Sequence, residues 1–98
     1  MIIKNLTFVV PVRYENDFPG LAFKATDTLN TWVEDIKAYK LVEQLDPETF
    51  NFAIQLSFTN AVKLEDFNKL ALEDMIGEIQ AGIAEPVLYF ESHLEKIF

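Results

Sequence analysis

The segment from Phe50 to Thr59 constrains the fold more than any other part of the chain. Large apolar residues alternate in it with small or polar ones, as Phe50, Phe52, Ile54, Leu56 and Phe58 against Asn51, Ala53, Gln55, Ser57 and Thr59. Successive side chains of a β-strand point to opposite faces of a sheet, so this period of two predicts a strand with one buried face. We expect the other face to be wet or lightly covered.

Two further segments favour strands. Residues 2–14 are mostly β-branched or aromatic, and Pro11 should mark an edge, a bulge or the end of that strand. Near the other end, Val87–Glu91 is compatible with a strand followed by a helical turn opened by Ser92. The alternative is a helix that begins at Pro86. We favour the strand.

The segment between the first strand and the first helix reads as irregular. Residues 15–20 should form a loop, because Pro19 followed by Gly20 is typical of a type II turn. Leu21–Ala25 should be short and extended, returning against the first strand.

Apolar residues at helical spacing predict two helices. The first has Leu29, Trp32, Val33 and Ile36 on one face, begins near Asp27 or Thr28 and ends between Lys40 and Leu45. The second covers residues 63–83. Glycine weakens a helix interior, so Gly77 either permits close packing or marks a kink or break. A further strand is compatible with Tyr39–Leu45, and Asp46–Thr49 reads as a turn, because Pro47 disfavours helix at Asp46.

This order of elements predicts one α+β domain over residues 1–98. The most compatible architecture is a small two-layer sandwich, an antiparallel sheet with two helices on one face, as in the ferredoxin-like or split βαβ arrangement. A ββαβ-type arrangement with Leu21–Ala25 as a paired strand is the alternative. That topology carries many unrelated functions, so it predicts none by itself.

Composition and charge limit the kinds of partner. The chain has 98 residues, half of them apolar, and no cysteine, which excludes disulfides and thiolate zinc sites. No apolar run approaches the ~20 residues that span a bilayer, so we expect a soluble, cytoplasmic protein. The net charge is −8, and all of it lies in residues 41–98, which hold eleven acids and three bases. Direct binding to nucleic acid or to an anionic membrane is therefore disfavoured, whereas a basic protein surface is attracted.

No motif for catalysis, nucleotide binding or metal binding is present. The three glycines are scattered, so no phosphate-binding loop is formed, and we expect no cofactor. Glu91, His93 and Glu95 would share one face of a strand, but with a single histidine they predict a solvated edge rather than a metal site. Nothing joins His93 to a serine or threonine as a nucleophile and its base.

Two functional hypotheses remain. The first is a non-enzymatic protein-binding module, such as an inhibitor, adaptor or assembly subunit, that docks a basic protein surface. It would use an acidic helix face, and would act as a nucleic-acid mimic if that surface normally binds DNA or RNA; the residues are Glu65, Asp66, Glu73, Asp74 and Glu78. The second is a small homo-oligomeric enzyme or ligand-binding domain. Its pocket would lie between sheet and helices and use Tyr14, Tyr39, Tyr89 and His93.

Overall fold

The alternating segment forms a ten-residue strand with one face in the core. In the computed structural model, which describes residues 1–98, the strand β3 runs over Thr49–Phe58. Its large residues Phe52, Ile54, Leu56 and Phe58 are buried, whereas Asn51, Ala53 and Gln55 on the other face are half-buried. The period-two prediction is confirmed.

Four strands form one antiparallel sheet. Besides β3 these are β1 at Ile2–Pro11, β2 at Asp35–Lys40 and β4 at Leu88–Glu95. Their order across the sheet is β2-β3-β1-β4, and every neighbouring pair is antiparallel. Phe8 at the centre of β1 lies opposite Phe52 on β3 and Tyr89 on β4, so one row of aromatic residues crosses three strands.

Three helices cover one face of this sheet, where the sequence predicts two. They are α1 at Phe18–Thr26, α2 at Ala61–Leu70 and α3 at Leu72–Ala81. Phe18 of α1 packs on Phe8 and Phe52, and Phe67 of α2 packs on Phe58, so these helices lie on the same side. The result is the ferredoxin-like α+β sandwich, with 17 buried apolar residues in one cluster.

The second face of the sheet has no helix over it, and we call it the open face. The strand register places alternate residues of every strand on this open face. They are Asp35, Lys37 and Tyr39 of β2, Asn51, Ala53, Gln55 and Ser57 of β3, Ile3, Asn5, Thr7 and Val9 of β1, and Leu88, Phe90, Ser92 and Leu94 of β4. The molecule measures only 17 Å along its shortest axis, which fits two layers.

Residues 15–25 are not a loop and an extended segment, as predicted, but contain α1. Pro19 falls in the first turn of this helix, where its missing amide hydrogen costs nothing. Phe18, Ala22, Ala25 and Thr26 are buried along one side, which is the i, i+4, i+7, i+8 spacing of a helix. The dipeptide Pro19-Gly20 suggested a turn, but Gly20 has no positive φ.

The first predicted helix is also wrong. Residues Leu29–Thr31 form a single 3-10 turn, and Asp35–Lys40 is the edge strand β2, so a strand does precede the turn but ends before Leu41. Leu29 and Val33 are buried, which explains the misleading helical spacing. The sheet determines the structure of the next residues, since Ile36 and Ala38 pair with Leu56 and Ile54 of β3.

The second predicted helix is two helices. The break lies at Ala71, whose φ of −130° and ψ of −27° leave the α region, and not at Gly77, which continues α3. The side chain of Asn60 caps α2 by accepting a hydrogen bond from the Lys63 amide at 3.0 Å. None of the three helices has the length and apolar character needed to cross a bilayer.

The remaining local predictions are largely confirmed. Strand β1 ends at Pro11, and Val12–Tyr14 is a 3-10 turn. The Asp46 carboxylate accepts the Glu48 amide at 2.8 Å and closes the β2–β3 turn. The C-terminal segment is a strand, as favoured, but β4 continues to Glu95 and so replaces the predicted helical turn at Ser92.

Candidate functional site

A large cavity lies between α1 and the edge of the sheet formed by β2 and β3. Helix α1 covers the centre of the sheet through Phe18, and no helix covers β2. The space left above β2 is a pocket of about 680 Å³, open to solvent on one side. This volume is within the usual range for small-molecule sites, roughly 300–1,000 Å³.

Small side chains make the room for this pocket, which we call the α1–β2 pocket. Ala22 on α1 and Ala38 on β2 both line it, and larger residues at these positions would reduce its volume. Its floor and wall are apolar and come from Phe18, Phe52, Ile36 and Ile54. Phe18 and Phe52 stack with ring centroids 4.6 Å apart.

Phe23 is the exposed member of this lining. It lies on α1, five residues after Phe18, and 72% of its surface is accessible. A phenylalanine so exposed gains nothing from the fold, since burial of its ring would contribute about 2–3 kcal/mol. Phe23 therefore stands at the mouth of the pocket as apolar surface without an intramolecular partner.

Polar groups lie at the two ends of the pocket. At the start of α1, Lys40 makes an ion pair with Glu15, and its Nζ also lies 4.4 Å from the centroid of the Phe50 ring. At the end of α1, Asp27 and Asn30 are exposed. A ligand in the trough would thus meet apolar surface along its length and a charge pair at one end. An apolar lining with a few polar groups is typical of small-molecule sites.

The four polar side chains predicted to line such a pocket do not lie together. Tyr39 borders the α1–β2 pocket, but Tyr14 accepts a hydrogen bond from the Ala84 amide at 3.0 Å. Tyr89 packs on Phe8 with centroids 5.7 Å apart, and His93 is two strands away from the pocket on β4. The chain's single histidine therefore takes no part in this site.

A second polar group surrounds Lys4. This residue lies on the helix-facing side of β1 and is only 1% exposed. Its Nζ is 2.6 Å from a Glu91 carboxylate oxygen and 3.4 Å from His93 Nε2. Glu91, His93 and Glu95 do share one face of β4, as their spacing predicts. An ammonium group directed between two of them repels a metal cation.

The five predicted partner-binding carboxylates lie on two helices. Glu65 and Asp66 are exposed on α2, and Glu73, Asp74 and Glu78 are exposed on α3 beyond the Ala71 break. None of the five is in an ion pair, since the five pairs in the structure join other acids to lysine or arginine. Glu73 and Asp74 also lie in the first turn of α3, where the helix dipole stabilises negative charge.

Two of these carboxylates border a smaller depression. It has a volume of about 150 Å³ and lies where Leu29 and Trp32 meet the junction of α2 and α3. Asp74 and Glu78, four residues apart on α3, line it together with the half-buried Trp32. Carboxylates beside an indole ring suit a lysine or arginine side chain.

Sequence reasoning predicted a pocket between sheet and helices but missed most of the residues that line it, and it missed Lys4. The pocket depends on α1, which the Pro19-Gly20 dipeptide concealed, and on residues far apart in the chain. A usable signal was the helical spacing of Phe18, Ala22 and Ala25. Lys4 stands at an even position of β1, between the buried Leu6 and the half-buried Ile2, and this pattern placed it on the buried face.

Comparison with known proteins identifies the fold. No protein-family profile matches the sequence, and no curated protein does. A provisionally named antibiotic biosynthesis monooxygenase from Deinococcus radiodurans is similar in structure, with a TM-score of 0.63, 15% identity and coverage of 100% of this chain and 97% of that one. A protein with the same provisional name from Bordetella bronchiseptica has a TM-score of 0.59, 12% identity and coverage of 99% and 98%.

A third neighbour has a known assembly. It is a dimeric ferredoxin-like protein from an uncultured marine organism, with a TM-score of 0.62, 11% identity and coverage of 99% of this chain and 96% of that one. Sequence identities this low establish the shared ferredoxin-like fold and no shared activity. The fold itself is compatible with self-association.

Proposed function

We propose that this protein binds a small, mostly apolar molecule in the α1–β2 pocket. The observation that carries the proposal is the pocket itself, an apolar space of about 680 Å³. The solvent-exposed Phe23 lies at its mouth, and the Lys40–Glu15 ion pair lies at one end. The names of the two monooxygenase-like neighbours support a small-molecule role for this fold. This is the ligand-binding form of the second sequence hypothesis.

The ligand should carry little negative charge. The pocket is lined by two carboxylates, Glu15 and Asp27, and by a single cation, Lys40, which is already paired. An anionic group would have to displace Glu15 from Lys40, whereas a hydroxyl or carbonyl accepts a hydrogen bond from the same ammonium without that cost. We therefore favour a neutral molecule with one hydrogen-bonding group.

The test fills the pocket and measures binding of a neutral apolar probe, N-phenyl-1-naphthylamine. Ala38 is exposed on β2, so Ala38→Phe places a ring in the trough without disturbing the core. We expect saturable binding by the wild type and a roughly tenfold or larger loss of affinity in Ala38→Phe. Ala61→Phe adds the same ring at an exposed position of α2 and should leave binding unchanged.

Amide NMR shifts during the titration locate the probe. They should concentrate in residues 18–27, 36–40 and 52–54. Shifts confined to the open face, or equal affinities in Ala38→Phe and the wild type, would contradict the proposal.

A second candidate function follows from the helices on the outer side. We propose that the unpaired carboxylates of α2 and α3 dock a basic protein surface, with a cationic side chain entering the depression beside Trp32, Asp74 and Glu78. The support is the absence of ion pairs at these five residues together with that depression. Such a surface would imitate nucleic acid if the partner's basic groove normally binds it. Capture of a short polylysine peptide is the readout.

A further inference from the structure

The open face of the sheet is almost free of charge in a strongly acidic protein. About a quarter of all residues are charged, yet only Asp35 and Lys37 lie on this face. Both are on the edge strand β2, where the Lys37 ammonium is 3.8 Å from the Asp35 carboxylate. Depletion of charged residues is the compositional mark of the centre of a protein interface.

An apolar stripe lies along one side of the same face. Leu88, Phe90 and Leu94 of β4 are 58%, 56% and 45% exposed, and Ile3 and Val9 of the neighbouring β1 stand opposite Leu94 and Leu88. We call these five residues the β4 stripe. Ser92 and Asn5 interrupt the stripe between Phe90 and Leu94. Exposed apolar residues grouped on one face and bordered by polar ones are typical of an interaction site.

We propose that the occupant of the open face is a second copy of this chain, with the two β4 stripes in contact across a two-fold axis. An isologous dimer needs a surface that complements itself, and a face with no net charge and an apolar stripe does so. A strongly charged partner would find no complementary charge here. The proposed dimer goes beyond ligand binding, and its contact includes no residue of α1, the helix that lines the α1–β2 pocket.

Charge placement permits this association despite the net charge of −8. The five unpaired carboxylates of α2 and α3 lie on the helical layer, on the other side of the sheet. When two sheets meet face to face, these helices point away from each other into solvent. Repulsion between the copies is then weakened by distance and by salt.

The area is sufficient for a specific dimer. β1, β3 and β4 are 8–10 residues long and β2 has six. At a strand spacing of about 4.8 Å they give a face roughly 19 Å wide and 20–30 Å long, and side-chain relief adds to its area. Specific interfaces bury from about 1,200 Å² in total, or about 600 Å² on each partner. The open face therefore matches the lower part of the range of stable interfaces.

Sedimentation equilibrium tests the association. The 11.3 kDa chain should have twice its monomer mass at micromolar concentration, and Phe90→Asp should weaken the dimer roughly thirtyfold or more, because a charge would be buried in the stripe. Phe23→Asp is the control, since Phe23 is an even more exposed phenylalanine and lies on α1, and it should leave the dimer intact. A monomeric wild type, or a dimer indifferent to Phe90→Asp, overturns the proposal.

A mixing experiment tests the two-fold contact between stripes. Phe90→Asp and Phe90→Lys should each be monomeric alone, and should form a heterodimer when mixed if residue 90 faces its own counterpart. No association on mixing overturns the stripe-to-stripe arrangement. Probe binding in the α1–β2 pocket should persist in monomeric Phe90→Asp, so failure of the dimer and failure of the ligand proposal give different results.

Discussion

Lys4 is the one charged side chain inside the core. It is 1% exposed, whereas its partner Glu91 keeps 39% of its side-chain surface accessible. The two ends of this ion pair are therefore unequal. Water can reach Glu91 if Lys4 is removed, but the Lys4 ammonium would keep only His93 as an acceptor if Glu91 were removed.

This inequality predicts different costs for breaking the pair from either side. Glu91→Gln should lower the free energy of unfolding by about 2–3 kcal/mol, because it leaves a buried ammonium without its counter-ion. Lys4→Met should change it by less than about 1 kcal/mol, because the stem still packs and the charge is gone. Urea denaturation at one protein concentration measures both.

The exposed pair between Lys63 and Glu34 provides the control. Lys63→Gln should change the free energy of unfolding by less than about 0.5 kcal/mol, since the pair is solvated. Equal losses in Glu91→Gln and Lys4→Met would instead mean that the buried pair is itself a net source of stability. A double variant carrying both substitutions should resemble Lys4→Met alone.

At the scale of elements, the sequence predicted correctly those helices and strands whose own apolar periodicity was unambiguous. Strand β3 alternates over ten residues, and no competing pattern exists there. Helix α1 has only nine residues and carries Pro19 and Gly20 in its first turn, so turn chemistry masked four buried positions at helical spacing. Strand β2 is formed by pairing with β3, a contact between segments that local spacing cannot show.

The glycine inside α3 and the glycine that ends it should respond in opposite ways to alanine. A Cβ at Gly77 would meet nothing within 4 Å, so Gly77→Ala should stabilise the protein by about 0.5–1 kcal/mol through helix propensity. A Cβ at Gly82 would overlap the Leu21 side chain of α1, with Leu21 Cδ1 at 2.7 Å. Gly82→Ala should therefore destabilise it by about 1–2 kcal/mol. Thermal unfolding distinguishes the two.

Removing the obstructing side chain separates crowding from other causes. Neither glycine has a positive φ, so backbone strain does not account for a loss at Gly82. In a Leu21→Ala background, Gly82→Ala should cost little, because the clash has gone. A full loss in that background would show that α1 and α3 are not held together through this contact.

At the scale of the whole molecule, the two sides of the sandwich have opposite character. The open face of the sheet carries only the Asp35–Lys37 pair and is partly apolar, whereas the helical layer carries unpaired carboxylates. The sequence showed that the acidic surplus lies in residues 41–98 but could not show its direction. The side of the sheet on which these acids lie depends on α2 and α3 covering the same face as α1, and only the assembled fold determines that.

Because the position of the charges matters, the test of the acidic helices compares two variants with the same net charge. One variant replaces the five carboxylates of α2 and α3 by amides, and the other replaces five exposed, unpaired carboxylates elsewhere, namely Asp17, Asp27, Glu43, Glu48 and Glu95. Each change takes the net charge from −8 to −3. We expect the helix variant to lose polylysine binding and the other to retain most of it, as measured by calorimetry at low salt, because complementarity between surfaces depends on where charges lie. Equal losses in both variants would mean that polylysine responds to total charge alone, and the helical carboxylates would then serve only to keep the surface solvated.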